Sequence, residues 1–413
     1  MVMGTLATLL LSAAQAQTPP TATVKVCVHA QLNFADADLG NGEDYFESNG
    51  IYPLRGVRIR LDENFGTGFQ SAYADWTGND QGCAVFQNIS TVAGETYRVS
   101  MRTQLEVNTS HLEVRRSYGQ KALYEAELAT AQSFSQATQA DYTTGPHRSL
   151  DVAAAASSAL ARHTGGYALT PTFYLPDATG QLTVPAACDG PCIVNGDDVY
   201  ISEYESSRKF AVAYRLGWVL VKAISPNWGT DSFDSACSGP GDSTLASVES
   251  SRYAAADGLA FLYASFAFNR SLPGDESCQF TYWKSMDWDE MGAPCFDRID
   301  TPIGQAISCF TGRAPLVPPR NHRSYCSFNA SSNPVAHTAT AIDHVRLWWD
   351  LMNGYTPPGG TEVTPTLQDI VNLYEASVAA SPQPPGLWGF VSTATHLGLT
   401  EAEWLVISAE HGL

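Results

Sequence analysis

Residues 210–220 read Phe210-Ala211-Val212-Ala213-Tyr214-Arg215-Leu216-Gly217-Trp218-Val219-Leu220. The run is long, apolar and free of proline, and we place it in a buried helix over about residues 205–223. Arg215 and Gly217 interrupt the apolar frame. Tyr214 and Trp218 stand at i and i+4 and share one face. Aromatic side chains at that spacing usually mean core.

Upstream, the period becomes helical after Gly145-Pro146. Ser149 is placed as the N-cap of a helix running through Val152, Ala156 and Leu160 to Gly165-Gly166. Residues 169–175 and 199–201 read as strands. Downstream, Thr400-Glu401-Ala402-Glu403 opens a last helix with a capping-box pattern. Earlier in the chain the period is two. Val24, Val26 and Val28 alternate with polar residues, as do Val57-Arg58-Ile59-Arg60-Leu61 and Tyr97-Arg98-Val99. Turn signals at Asn49-Gly50, Gly78 to Gly82 and Ala93-Gly94 separate these runs, which points to an all-β sandwich.

The chain has 413 residues and a net charge of −19. Such acidity repels phosphate backbones and anionic lipid heads, so nucleic acid and membrane surfaces are poor partners. Residues 1–16 hold no charged side chain. An apolar run from Leu6 to Ala14 ends in Ala14-Gln15-Ala16, the pattern of a secretory signal cleaved before Gln17, although the usual basic start is missing. That run is short of the ~20 residues a spanning helix needs, and no later segment reaches 18 apolar residues. The expected location is therefore secreted, periplasmic or extracellular, with no membrane span. The nine cysteines then read mainly as disulfides, one being left over. Cys27 and Cys83 are candidates to staple the N-terminal strands. Cys188 and Cys192 flank a tight Asp-Gly-Pro turn and are candidates for a local bridge. Zinc binding by cysteines ranks lower, because no C-x-x-C pair exists.

Two stretches resemble known families. Pro53 to Ile59, Asp75 to Gly82, and Phe86 with Tyr97-Arg98-Val99 are similar to transthyretin-like and carboxypeptidase-regulatory-like modules, which implies a spacer or binding role. The helix at 210–220 resembles the zinc helix of gluzincin-type metallopeptidases, V-x-H-E-x-G-H. Ala256-Asp257-Gly258-Leu259-Ala260-Phe261 is similar to the helix that bears the third ligand, and 345–351, VRLWWDL, to a late helix of such bacterial secreted proteins. The resemblance implies that Tyr214 and Trp218 stand at the two histidine positions, Arg215 at the catalytic glutamate and Asp257 at the third ligand. Imidazoles at i and i+4 hold zinc because they lie about 6 Å apart on one face. An indole cannot ligate, a phenol ligates poorly, and a guanidinium is no base. No zinc site is expected, and an Arg215–Asp257 ion pair is expected in its place.

Other chemistry is thinner. Asp36, Asp38, Asn41, Glu43 and Asp44 crowd one loop of hard oxygen donors that suits calcium, but the spacing is not that of an EF-hand, and a solvated acidic loop is the plainer reading. No two histidines stand at i and i+4. His337 and His344 would lie about 10 Å apart along a helix, too far to share an ion. No G-x-S-x-G, P-loop or G-x-G-x-x-G motif occurs. Asp287, Asp289 and Glu290, among aromatics, form the weak case for a glycosidase.

The expectation is an α+β multidomain chain: signal peptide 1–16, β-sandwich 17–104, connecting segment 105–147, and a metallopeptidase-like α+β domain 148–413 with a mainly helical C-terminal half. The expected function is a catalytically inactive pseudopeptidase that binds an extracellular peptide or protein through the former cleft. The alternatives are a hydrolase using a non-zinc site and a surface interaction protein with no cleft function.

Overall fold

The computed structural model describes residues 20–34, 50–64, 68–78, 81–116, 122–135, 138–162, 166–176, 181–185, 192–225, 249–268, 338–339, 341–352, 354–380 and 390–410. Strands come first: β1 (Thr21–Gln31), β2 (Ile51–Pro53), β3 (Val57–Asn64), β4 (Phe69–Trp76), β5 (Cys83–Ser90), β6 (Tyr97–Val107), β7 (Ser110–Arg115), β8 (Glu125–Gln132) and β9 (Gln139–Thr144). Helices with short strands follow: α1 (Arg148–Arg162), β10 (Thr172–Tyr174), β11 (Cys192–Val194), β12 (Asp198–Tyr200), α2 (Glu203–Ser206), α3 (Lys209–Ile224), β13 (Glu249–Ser250), α4 (Ser251–Phe268), β14 (Thr338–Ala339), α5 (Ala341–Met352), α6 (Leu367–Ala380) and α7 (Glu401–Glu410). Both element types are well represented, so the chain is α+β.

The alternating runs become strands because one side of each is apolar. Val24, Val26 and Val28 on β1, Val57, Ile59 and Leu61 on β3, and Tyr97, Val99 and Met101 on β6 are all buried. β1 lies between β9, which runs parallel to it, and the antiparallel β5 and β2. Cys27 and Cys83 face each other in the β1–β5 ladder and are joined by a disulfide. Gly82, just before it, has φ of +61°, and a Cβ there would come within 2.8 Å of the Leu54 nitrogen and the Val28 oxygen, so the turn admits glycine alone.

The second sheet has the order β11-β12-β10-β7-β6-β3-β4, with β8 pairing the first half of β6. The stretch 105–147, expected as a connection, holds β7, β8 and β9. β7 pairs in parallel with β10, so this sheet continues past residue 148 into the helical half. The weak alternation of β8, whose residues are only partly buried, hid it in the sequence.

α1 lies on β6 and β7 and also touches α3 and α4. Its alanines 153–156 are buried all round. Ser149 sits inside this helix rather than capping it, and the Ser149 N–H donates to the His147 Nδ1 at 3.1 Å. The helix expected at 205–223 is broken: α2 ends at Ser206, Arg208 is extended, and α3 begins at Lys209. The capping box expected at Thr400 and Glu403 is formed, with the Glu403 carboxylate accepting from the Thr400 N–H at 2.7 Å. Among the described residues no helix is long and apolar enough to cross a membrane.

α3 rests on α4 at Gly217. A Cβ there would stand 2.6 Å from the Ala260 carbonyl oxygen and 2.7 Å from the Ala260 Cα. These are backbone atoms and cannot swing aside. Gly217→Ala is therefore expected to lower the unfolding free energy by about 2 kcal/mol or more, read from the midpoint of urea denaturation. A variant that unfolds like the parent would mean that α3 can slide off α4 without loss.

Candidate functional site

Because α3 approaches α4 so closely at Gly217, the side chains beside it and one turn before it meet α4 across the seam. Tyr214 and Trp218 of α3 both reach Asp257 of α4. The Tyr214 hydroxyl donates to Asp257 Oδ1 at 2.5 Å, and the Trp218 Nε1–H donates to the same oxygen at 3.2 Å. Phe261 covers the Tyr214 ring at 4.4 Å between centroids, and Tyr253 lies 5.9 Å from Trp218. Asp257 is 4% exposed and Trp218 6%. Burial pushes the Tyr214 pKa well above its ordinary value, and the nearby Asp257 charge adds to this. The phenol thus keeps its proton and stays a donor to the carboxylate. From α6 the Tyr374 hydroxyl donates to the Ala255 carbonyl and ties α4 down from another side.

The expected Arg215–Asp257 pair is absent. Arg215 donates through Nε at 3.0 Å and Nη2 at 2.5 Å to Glu205 Oε1. The reason is helical geometry. Arg215 follows Tyr214 by one residue, about 100° around the axis, so it turns away from α4 when Tyr214 faces it. Burial works against its charge, but the Glu205 carboxylate, together with Tyr214 and Asp257, holds its pKa above the usual arginine value. The other Glu205 oxygen accepts from the Ser202 N–H at 2.8 Å, and Ser202 Oγ accepts from the Glu205 N–H at 3.1 Å, a complete capping box on α2. Glu205 was missed in the sequence. Its signal was Ser202-Glu203-Tyr204-Glu205, an S-x-x-E pattern directly before the long helix.

The four positions do not make a zinc centre. Asp257 brings the only carboxylate, and Oδ1 already receives two protein donors. Trp218 offers no lone pair, and Arg215 is a bound cation. Among the described residues no group of three or more His, Cys, Asp or Glu could hold a metal ion. The loop with Asp36, Asp38, Asn41, Glu43 and Asp44 lies outside the described residues, as do residues 1–16, His337, Asp287, Asp289 and Glu290. Cys192 is also disulfide-bonded, while Cys188 lies outside the described residues.

His344 on α5 is fully buried, and neither ring nitrogen has a hydrogen-bond partner. Its ring lies 6.5 Å from that of Trp348. Burial lowers its pKa to about 3.

Comparison with protein-family models, curated proteins and solved structures finds no match for this chain.

Tyr214→Phe should remove a donor from a buried carboxylate and cost about 1.5–3 kcal/mol in denaturant unfolding. No loss would mean that the phenol is replaced there without penalty. His344 gives a pH dependence of definite sign. The folded imidazole stays neutral to about pH 3. The unfolded one binds its proton near pH 6.5, so stability falls by about 1.4 kcal/mol per pH unit as pH drops through that window. Thermal melts from pH 7 to pH 4 should therefore fall less steeply for His344→Phe than for the parent, and parallel slopes would rule this out.

Proposed function

We propose that this chain is an exported pseudopeptidase, a metallopeptidase-like protein that has lost its zinc chemistry and acts by binding an extracellular peptide or protein. In this reading residues 17–104 form a β-sandwich module, and residues 148–413 carry the former peptidase part. One observation carries the reading. The carboxylate at the third-ligand position is engaged by Tyr214 and Trp218, which occupy the two histidine positions of the matching helix pattern. A hydrogen-bonded knot stands where the resemblance implies a metal. Partly exposed Tyr214 and Arg215 offer the rim on which a peptide would rest.

A second reading, a surface interaction protein without a cleft function, is favoured by the burial of Trp218 and Asp257. It differs in placing the binding surface elsewhere. A hydrolase of another type would need a different constellation. The buried imidazole of His344 does not supply its base, since it has no partner to take a proton from or pass one to.

The test uses zinc as a probe of ancestry as well as of activity. Purified mature protein should contain no stoichiometric zinc by mass spectrometry and show no chelator-sensitive proteolysis. The double variant Tyr214→His with Trp218→His would place two imidazoles beside Asp257. It should gain thermal stability on zinc addition, where the parent gains none. Zinc or chelator-sensitive cleavage in the parent would overturn the pseudopeptidase reading. A folded double variant indifferent to zinc would overturn the match to a zinc helix.

A further inference from the structure

The second sheet carries an unusual outer face at β3 and β6. On these strands Val57, Ile59, Leu61, Val99 and Met101 turn inward, so Arg58, Arg60, Asp62, Arg98, Ser100 and Arg102 lie on the opposite face, where Asp62 and Ser100 are themselves buried. The register sets Arg58 directly opposite Arg102, Arg60 opposite Ser100 and Asp62 opposite Arg98. Most of these charges are matched. Asp62 binds Arg60 at 3.0 Å and Arg98 at 2.6 Å, and Glu125 of β8 binds Arg102 at 2.8 Å and stands 3.7 Å from Arg60. The result is an alternating row, Arg98–Asp62–Arg60–Glu125–Arg102.

Arg58 stands outside that row. It donates to Gln104 Oε1 at 3.2 Å, and its guanidinium lies 5.5 Å from the centre of the Trp76 ring on β4. No carboxylate pairs with it among the described residues. Like charges directly across a ladder destabilise it, and of the Arg58–Arg102 pair only Arg102 has a carboxylate partner. Carboxylates also stand on this side of the sheet: Glu127 opposite Ser100, and Glu113, which accepts from Gln104 Nε2 at 2.7 Å and binds Arg115. The β-slip between Val57 and Arg58, where β6 advances from Arg102 to Leu105, brings Gln104 to the same corner.

We propose that this outer face binds an acidic glycan, with a uronate carboxylate seated at Arg58 and Arg102 and a pyranose ring against Trp76. The site is separate from the α3–α4 seam and does not rest on the pseudopeptidase reading. Charge complementarity selects the carboxylate, which a guanidinium fork matches in shape. Position selects the sugar. β3 and β6 are paired on both sides, so their backbone groups are used in the ladders and a ligand on the face meets side chains only. A peptide would leave its own N–H and C=O groups without ladder partners there, since peptides add to sheet edges. A uronate brings a charge for arginine and a ring face for indole.

The experiment is affinity electrophoresis and calorimetry of the full chain with a galacturonate oligomer, its methyl ester and poly-glutamate, at two salt concentrations. The galacturonate should bind in a salt-sensitive way. The ester, which keeps the ring and loses the charge, should bind about tenfold weaker or worse, as should Arg58→Gln and Trp76→Ala on galacturonate. Arg58→Gln removes no ion pair and should keep the parent's melting temperature. Arg58→Lys, which keeps charge but loses the fork, should fall between. Absence of galacturonate binding overturns the proposal, as does binding that ignores Arg58. Equal affinity for poly-glutamate would reassign the face to acidic peptides and overturn the sugar.

Discussion

The closest constraint in the helical half is the bare Cα of Gly217 lying on the backbone of Ala260. No side chain can come between α3 and α4 at that point. The seam is therefore narrow enough for Tyr214 and Trp218, one turn apart, to converge on Asp257, one turn before Ala260. Move the helices apart by the width of a methyl group and a 2.5 Å hydrogen bond to a buried carboxylate is lost. α1, α5 and α6 are then laid around this pair, α1 against both of its helices, α5 against α4 and α6 against α3.

The same seam decides where charge goes. A carboxylate buried to 4% exposure needs donors, and two neutral aromatic groups supply them. A guanidinium nearby needs a carboxylate of its own, and Glu205 serves both it and the N-terminus of α2. Glu205 thus joins the short helix to the long one. The break between them at Ser207 and Arg208 is what lets α2 fold back toward Arg215.

In the strand-rich half the decisive feature is continuity. β6 is long enough to pair β8 along its first part and β7 along its last. β7 then pairs with β10, so strands from both halves share one ladder. The disulfide between Cys27 and Cys83 ties β1 to β5 on the other sheet. The inward residues of β3 and β6 are mainly apolar, and four arginines stand on the opposite face.

The amino-acid sequence by itself determined the elements whose periodicity is strong. β1, β3 and β6 were legible from alternation, α1 and α3 from their apolar periods, and the Thr400–Glu403 cap from its spacing, because each depends on neighbours in the chain, whereas α4 and α5 were read only through the resemblance. It also placed Tyr214, Trp218 and Asp257 as candidates through their resemblance to a helix pair, and nominated Cys27 with Cys83. It could not assign partners across long separations. Arg215 was expected at Asp257 because the charges were opposite. The tertiary structure sent it to Glu205, because one residue of helix turns a side chain by about 100° and the seam had already fixed which way Tyr214 points. β8 was hidden because its residues are only partly buried, and the reach of β7 to β10 was hidden because strand pairing is a contact between distant segments. Local periodicity is written in the chain, but which charge meets which, and which strand meets which, is decided only when the elements come together.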